Sequence, residues 1–545
     1  MLDITVKIND KKYSYPKGIS LLDISKDFQS KFNHKIIIAK VNESISELSK
    51  KIYDNCSIGF YDRSMYEGLK AYESGLLFIM IKAFKDEFNI DVIIKHSLDK
   101  GILVKTNHSI NNEVLTKVKK RMDEIIKKDI PIDKLLINRK EAIKYYEKNK
   151  EYDKVKMLKY NTNTNVNLYK LDNMYDYFFS FLPVSTGYME EYKLNLIDDN
   201  NFVISYPSLY SDKISYKHHD KLFNEFEEYS EWCKKIGIST IPDLNERVSN
   251  GTINDYIFLS ETHQNNNLYE IARKIFNNKN IRIVLISGPS SSGKTTTSRK
   301  LQLFLKGFGV NPKTLSIDDY FVDREKTPRK EDGTLDYECI ESIRIDAFNK
   351  DLAKLLKGEK VKTPTFNFIE GKGEYITEPM ELKKDEILII EGLHALNEKI
   401  SSLVDKKNKY KIYLSPLTVL NIDNHNRIKT TDIRLLRRIV RDSRTRGYTA
   451  TEVIGIWNMV RRGEEEYVFP FQDEADVVFN TTLIYELGVL KTYVEPLLYL
   501  VDEEDVNYKY AVRLLKILKE VLPIPSDYIP KDSILREFIG EGYFL

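Results

Sequence analysis

The stretch Ile283-Val284-Leu285-Ile286-Ser287-Gly288-Pro289-Ser290-Ser291-Ser292-Gly293-Lys294-Thr295-Thr296 decides the fold of the C-terminal half. An apolar, β-branched run leads into a Gly/Ser-rich turn, and the turn leads into Lys-Thr. The spacing from Gly288 to Gly293-Lys294-Thr295 fits the phosphate-binding pattern G-x-x-x-x-G-K-[ST]. Gly288 and Gly293 allow backbone angles and close approaches that a Cβ would forbid. The N–H groups of residues 290–295 can then curl around a β-phosphate at a helix N-terminus. Ser290, Ser291, Ser292 and Thr296 complete the nucleotide-binding set. Lys294 supplies a point charge to the β- and γ-phosphates, and the Thr295 hydroxyl can ligate Mg²⁺. A Ser/Gly-rich loop that merely matches the pattern is the alternative. The strand before it and the helix after it, running to about Leu305, favour a nucleoside triphosphate site.

Reading onward, Lys313-Thr314-Leu315-Ser316-Ile317-Asp318-Asp319 is a short strand that delivers two carboxylates at its C-terminal end. That is the edge of an open α/β sheet where ligands sit. A carboxylate there can accept the proton of a substrate hydroxyl as it attacks the γ-phosphate. Asp319 fits a helix cap better than Asp318 does. Glu386-Ile387-Leu388-Ile389-Ile390-Glu391-Gly392 reads as a buried strand ending in an acid, the Walker B pattern, with Glu391 placed to hold the Mg²⁺ shell. In the run from Asp432 to Gly447, Arg434, Arg437, Arg438 and Arg441 recur at i, i+3, i+4 and i+7 and share a helical face. Leu435, Leu436, Ile439 and Val440 point the other way, into the body. Arginines so placed, with Arg446 beyond, can close over a nucleotide and stabilise charge on the transferring phosphoryl. A solvated basic face or an RNA patch would show the same spacing.

The chain has 545 residues, 42% apolar and 30% charged, enough for several domains and against long disorder. A net charge of +2 gives no field drawing the whole molecule to nucleic acid or membrane. Cys56, Cys233 and Cys339 are isolated, which predicts reduced packing residues in a cytosol. No apolar run approaches the roughly 18 residues of a spanning helix, and the N-terminus lacks signal-peptide features. These features predict a cytoplasmic protein without membrane contact. In residues 1–63, alternation at Ile4, Val6 and Ile8, a turn at Asn9-Asp10, a helix capped by Ser20 and a strand at 36–42 suit a small β-grasp sheet. Residues 196–280 read as a helical connector, in which Phe223, Phe226, Tyr229 and Trp232 recur at three-residue spacing. That spacing suits core packing, or a platform for stacking bases.

Three resemblances add to this. Tyr15-Pro16-Lys17-Gly18-Ile19-Ser20-Leu21 and Ala39-Lys40-Val41-Asn42 resemble a TGS domain. Residues 64–195, through Ser74-Gly75-Leu76-Leu77 and Pro183-Val184-Ser185-Thr186-Gly187, resemble the α+β editing domain that follows TGS in threonyl-tRNA synthetases. That family's metal ligands fall on Glu73, Leu77, Phe178 and Leu182 here, so the resemblance implies a retained shape without the metal-dependent chemistry. Residues 281–500 resemble the uridine kinases and phosphoribulokinases, through Gly288–Thr295, Leu315-Ser316-Ile317-Asp318, Pro364-Thr365-Phe366-Asn367-Phe368, Glu391-Gly392 and the arginine run. This implies an α/β kinase domain with a parallel sheet and helices on both faces, using ATP and Mg²⁺. By resemblance Asp318 is the catalytic base, acting with Lys294, Arg438 and Arg441. Glu338, Phe366, Phe368, Arg438 and Arg441 contact the acceptor, Arg446 contacts ATP, and Thr295 and Glu391 serve the metal. The family's base pocket reads Tyr-Asp-Phe and then His three residues on, whereas this chain has Phe366-Asn367-Phe368 and Gly371, and Tyr448 replaces a common lid Arg. Residues 501–545 read as a C-terminal cap, to which the sequence assigns no chemical role. The expected activity is γ-phosphoryl transfer to the 5′-hydroxyl of a nucleoside or nucleoside-like alcohol. An RNA- or ribosome-associated NTPase or a regulatory nucleotide-binding protein, with the TGS-like front as recruiter and RNA contact through the front half, is the alternative, though no NKxD guanine-reading motif is present and Lys294, Thr295, Asp318 and Glu391 are all in place.

Overall fold

The computed structural model describes residues 3–209, 211–330, 333–367, 370–375 and 378–544. The C-terminal half is built on five parallel strands: β1 (Ile283–Ser287), β2 (Lys313–Ser316), β3 (Leu388–Glu391), β4 (Lys409–Ser415) and β5 (Val477–Asn480), in the order β2-β3-β1-β4-β5. Every residue of β1 is buried, as expected for a parallel strand covered on both faces. Val284 and Ile286 pack with Leu301 and Leu305 of the helix Lys294–Gly307, while Ile283 and Leu285 pack with Phe348 and Leu352 on the opposite face. The parallel register brings the carboxyl ends of β1, β2 and β3 to one edge, where Ile286 pairs with Glu391 and Ser316 with Glu391. The phosphate loop and both acidic strand ends therefore meet at that edge.

The front of the chain forms a five-stranded mixed sheet in the order Lys11–Pro16, Asp3–Ile8, Cys56–Tyr61, Ile38–Val41, Ser44–Glu47. Strands 3–8 and 56–61 run parallel. Asn9 and Asp10 turn the first hairpin with φ of 47° and 64°, and the Ser20 hydroxyl caps helix Leu21–Lys26 by accepting from Asp23 N–H at 3.1 Å. Next, the buried helix Tyr66–Phe88 packs beside an antiparallel sheet in the order Lys193–Leu196, Asn201–Ser205, Gly101–Thr106, Val92–Leu98. Hairpin 193–205 crosses the boundary expected at 195. Strand 201–205 is a full member of that sheet, so the helical connector starts after it.

Of the positions matching the synthetase metal ligands, Leu77, Phe178 and Leu182 are buried in an apolar core, with the Phe178 ring 5.1 Å from Phe78. Glu73 instead receives Tyr206 Oη–H at 2.6 Å and pairs with Arg427 at 3.2 Å. Against the opposing pull of burial, the Lys70 and Arg427 charges hold its carboxyl down at about 2. A second link to the C-terminal half gathers Glu151, Asp176 and His425, and the Lys154 ammonium sits among them at 2.8, 2.6 and 2.7 Å. Asn421 Nδ2–H also donates to Ile94 C=O at 2.7 Å.

The connector contains helices Asp220–Lys235, Ile241–Ser249 and Ile253–Asn277. Phe226, Tyr229 and Cys233 turn into the core and Trp232 stacks on His263 at 4.2 Å, so the aromatic repeat is used for packing. Helix Tyr508–Lys519 and residues 529–539 share the core of the parallel sheet. Among the described residues no helix is long and apolar enough to cross a membrane.

Candidate active site

The phosphate loop folds as its glycines dictate. A Cβ on Gly288 would lie 2.3 Å from the Leu414 carbonyl oxygen, and Gly293 starts the phosphate-loop helix at φ +86°, where a side chain is strained. Lys294 bends back, its Nζ donating to the carbonyls of Gly288 at 2.9 Å and Pro289 at 3.2 Å. The Ser290 N–H donates to Glu464 Oε1 at 2.8 Å, and the Thr296 N–H to Glu537 Oε2 at 3.1 Å. Thr295 is exposed on the first turn, while Ser291 and Ser292 are buried.

Asp318 follows β2 in a single turn of 3₁₀-helix and is partly buried. Burial pushes its carboxyl up, and the charges of Lys294, Arg446 and Arg441 pull it down. Its neighbour Asp319 turns away and accepts from Phe366 N–H at 3.3 Å, a structural contact. Glu391 ends β3 and accepts from Ser316 Oγ at 3.1 Å. Burial, with the negative charge of Asp318 beside it, raises its carboxyl to about 7, and Lys294 and Ser316 offset part of this while Glu537 adds to it. Glu338 is likewise raised to about 7 by burial and by Glu464, with Arg438 and Lys294 opposing. Three carboxylates thus share one electrostatic environment with Lys294. A surplus of buried negative charge of this kind is the donor chemistry of a hard cation. Glu391 is one of the three, and Thr295 is exposed on the first turn of the phosphate-loop helix.

The arginine helix, Thr430–Thr445, does not present one uniform face. Arg434 and Arg437 are buried and brace the loop from behind. Arg434 pairs with Glu464 and its Nε–H donates to Ser290 C=O at 2.9 Å. Arg437 pairs with Glu486 at 2.7 Å and donates to Thr481 C=O at 2.9 Å and Ser291 C=O at 3.4 Å. The reading that all four arginines cover the nucleotide is corrected for these two, because buried Glu464 and Glu486 compensate their charges. Arg438 reaches the loop directly, Nη1–H donating to Ser290 Oγ at 3.0 Å. Arg438, Arg441 and Arg446 converge on Asp442, at 3.2, 2.8 and 3.7 Å.

Farther out, Phe366 sits on strand Thr365–Asn367 with its ring 5.6 Å from Phe321. Phe368 lies outside the described residues. At Gly371 a Cβ would come within 2.7 Å of Arg324 Nε, so an arginine side chain covers the position where the uridine kinases carry a histidine. The sequence reading missed Glu464 and Glu486, acids whose partners are distant in the chain, Asp442, which lies within four residues of its three arginines, and His394, buried three residues after Glu391 with its imidazole lowered by burial to about 4.

The sequence model of the Phosphoribulokinase / Uridine kinase family matches residues 283–486. A uridine kinase from Staphylococcus aureus (strain JH9) is 28% identical over 197 residues, covering 36% of this chain and 86% of that protein. A solved structure described as a possible uridine kinase from Bacillus stearothermophilus aligns at 18% identity and a TM-score of 0.25, covering 37% of this chain and 89% of that one. The match is confined to the half of the chain that carries the phosphate loop, Asp318, Glu391 and the arginine helix. That C-terminal part is a kinase domain of the phosphoribulokinase/uridine kinase family.

Proposed function

We propose that the protein transfers the γ-phosphoryl group of ATP to the hydroxyl of a nucleoside or nucleoside-like alcohol. The observation that carries this reading is the placement of one carboxylate, Asp318, under the charges of Lys294, Arg441 and Arg446 at the mouth of a phosphate loop. Asp318 orients the acceptor hydroxyl and takes its proton as the new P–O bond forms, and ADP leaves with the electron pair of the broken bond. Lys294 swings from the Gly288 and Pro289 carbonyls to the β- and γ-phosphates. Arg438, Arg441 and Arg446 stabilise charge on the transferring group, and Asp442 holds the three together. A Mg²⁺ ion held by Thr295 and Glu391 would neutralise the phosphates. Glu338 is the candidate for the acceptor's ribose hydroxyls. Phe366 in place of the base-reading Tyr, and Arg324 over Gly371, support an acceptor other than uridine, because a pocket without its hydrogen-bonding groups loses discrimination. The front half, TGS-like and then editing-like, is read as an appended scaffold without hydrolytic chemistry.

The test is turnover of ATP with a panel of nucleosides and related alcohols, using wild type and Lys294→Ala. Acceptor-dependent ADP release that the substitution abolishes, in a protein with unchanged circular dichroism, is expected. Turnover by Lys294→Ala near the wild-type rate would remove the loop assignment, and ATP hydrolysis stimulated by RNA and by no alcohol would favour an NTPase instead.

A further inference from the structure

The C-terminal tail reaches into the phosphate loop. Ile534 lies against Gly293, so close that a Cβ on the glycine would meet Ile534 Cγ2 at 2.7 Å. Three residues on, Glu537 Oε2 accepts the Thr296 N–H at 3.1 Å. Thr296 is the third residue of the phosphate-loop helix, and the next N–H, of Thr297, already closes on Gly293 C=O at 3.0 Å. The Thr296 N–H is therefore the last donor of the row that the helix leaves outside its own ladder. In a loop of this type that row cradles the α- and β-phosphates, and the positive end of the helix favours an anion there. The anion on it in this structure is the chain's own carboxylate.

The contact is well supported from both sides. Ser533, Ile534, Leu535, Arg536 and Phe538 are buried, and Arg536 Nη2–H donates to the carbonyls of Ser526 and Ile529 at 2.8 Å each. Lys300, on the phosphate-loop helix, pairs with Asp532 at 3.1 Å. From the arginine helix, Arg444 donates to Phe538 C=O at 2.8 Å and the Arg437 guanidinium lies 5.0 Å over the Phe538 ring. The tail is thus fastened to both elements that surround the phosphates.

We propose that Glu537 belongs to the donor-nucleotide site: its carboxylate holds the Thr296 amide, an incoming nucleotide phosphate displaces it, and the C-terminal tail thereby gates nucleotide binding. The proposal rests on the reading of the loop as a nucleotide site. One N–H cannot serve a carboxylate and a phosphate together, and two anions at contact distance in a partly buried site repel. Glutamine at 537 keeps the shape and an oxygen that can accept from Thr296, and removes only the charge.

The experiment is calorimetric binding of Mg·ATP to the full-length protein as wild type, Glu537→Gln and Lys294→Ala, with melting temperatures confirming the fold of each. Glu537→Gln is expected to bind Mg·ATP roughly tenfold more tightly than wild type, the effect of removing a differential repulsion of ordinary size between bound and free states. An affinity within twofold of wild type, or a weaker one, overturns the gate while Lys294→Ala still loses binding. If Lys294→Ala binds as wild type does, the loop reading itself falls and the gate falls with it.

Discussion

The Arg437–Glu486 pair offers a quantitative test of how the phosphate loop is held. Arg437 is fully buried, and its guanidinium serves Glu486, the Thr481 carbonyl and, at longer range, the Ser291 carbonyl of the loop. Glu486 is 3% exposed, and burial pushes its carboxyl up while Arg437 pulls it back down. Arg437→Met removes the cation and leaves that carboxylate and the Thr481 carbonyl without their strong donors. Breaking a buried pair from one side costs about 3–5 kcal/mol, because the remaining charge loses its compensation. For a folding unit the size of this kinase domain that corresponds to a melting point lower by roughly 6–20 °C. Replacing both partners, Arg437→Met with Glu486→Gln, removes the stranded charge. It should recover about 2–3 kcal/mol of that loss relative to Arg437→Met alone. The assay is thermal melting of the four members of the cycle, with Mg·ATP affinity measured alongside, since a loop that has lost its brace should also bind nucleotide less tightly. A single variant that melts within about 2 °C of wild type would refute the reasoning, as would a double variant no more stable than the single.

Two further outcomes follow from the same geometry. Asp318→Asn should leave ATP binding nearly unchanged and lower kcat by roughly 10²–10⁴-fold, the range for losing a general base. Asp319→Asn, which keeps an acceptor for the Phe366 N–H, should cost far less, and steady-state kinetics in which Asp319→Asn is the crippled variant would move the base by one residue. Glu225, on the connector helix against β5, has its carboxyl raised by burial to about 7. The folded state therefore holds more protons than the unfolded state between pH 4.5 and about 7, and stability falls as the pH rises through that window. Glu225→Gln should flatten that fall by about 1–3 kcal/mol, an upper range since the side chain is partly exposed. The measurement is the difference in melting temperature between pH 5 and pH 8, and an unchanged difference contradicts the argument.

What the sequence made legible was local. The phosphate loop announces itself because strand, glycines, Lys294 and Thr295 are contiguous, and each has a backbone or charge requirement that few other residues meet. The sheet-edge positions of Asp318 and Glu391 were readable for a related reason. A parallel sheet puts the ends of its strands at one edge, so an acid that ends a buried run is placed without knowledge of the tertiary structure. The front hairpin and the Ser20 cap were legible on the same local grounds. The arginine helix shows the limit. Helical spacing put Arg434, Arg437, Arg438 and Arg441 on one side, but it could not say which would meet a buried acid. Glu464 lies 30 residues after Arg434 and Glu486 lies 49 after Arg437, and neither sits in a pattern that marks it. Those acids divide the arginines into two that hold the loop's shape and two that, with Arg446, gather on Asp442 and are the ones proposed to meet the phosphates. The strand beyond residue 195 was not read for a similar reason, since 201–205 pairs both with 193–196 and with 101–105, about a hundred residues earlier. Glu537 is the extreme case. It sits in a tail without any motif, 241 residues from Thr296, and only the folded chain brings its carboxylate to the loop. Local sequence therefore specifies which groups are offered for the proposed phosphoryl transfer, and long-range burial of charge decides which of them are drawn into bracing the loop instead.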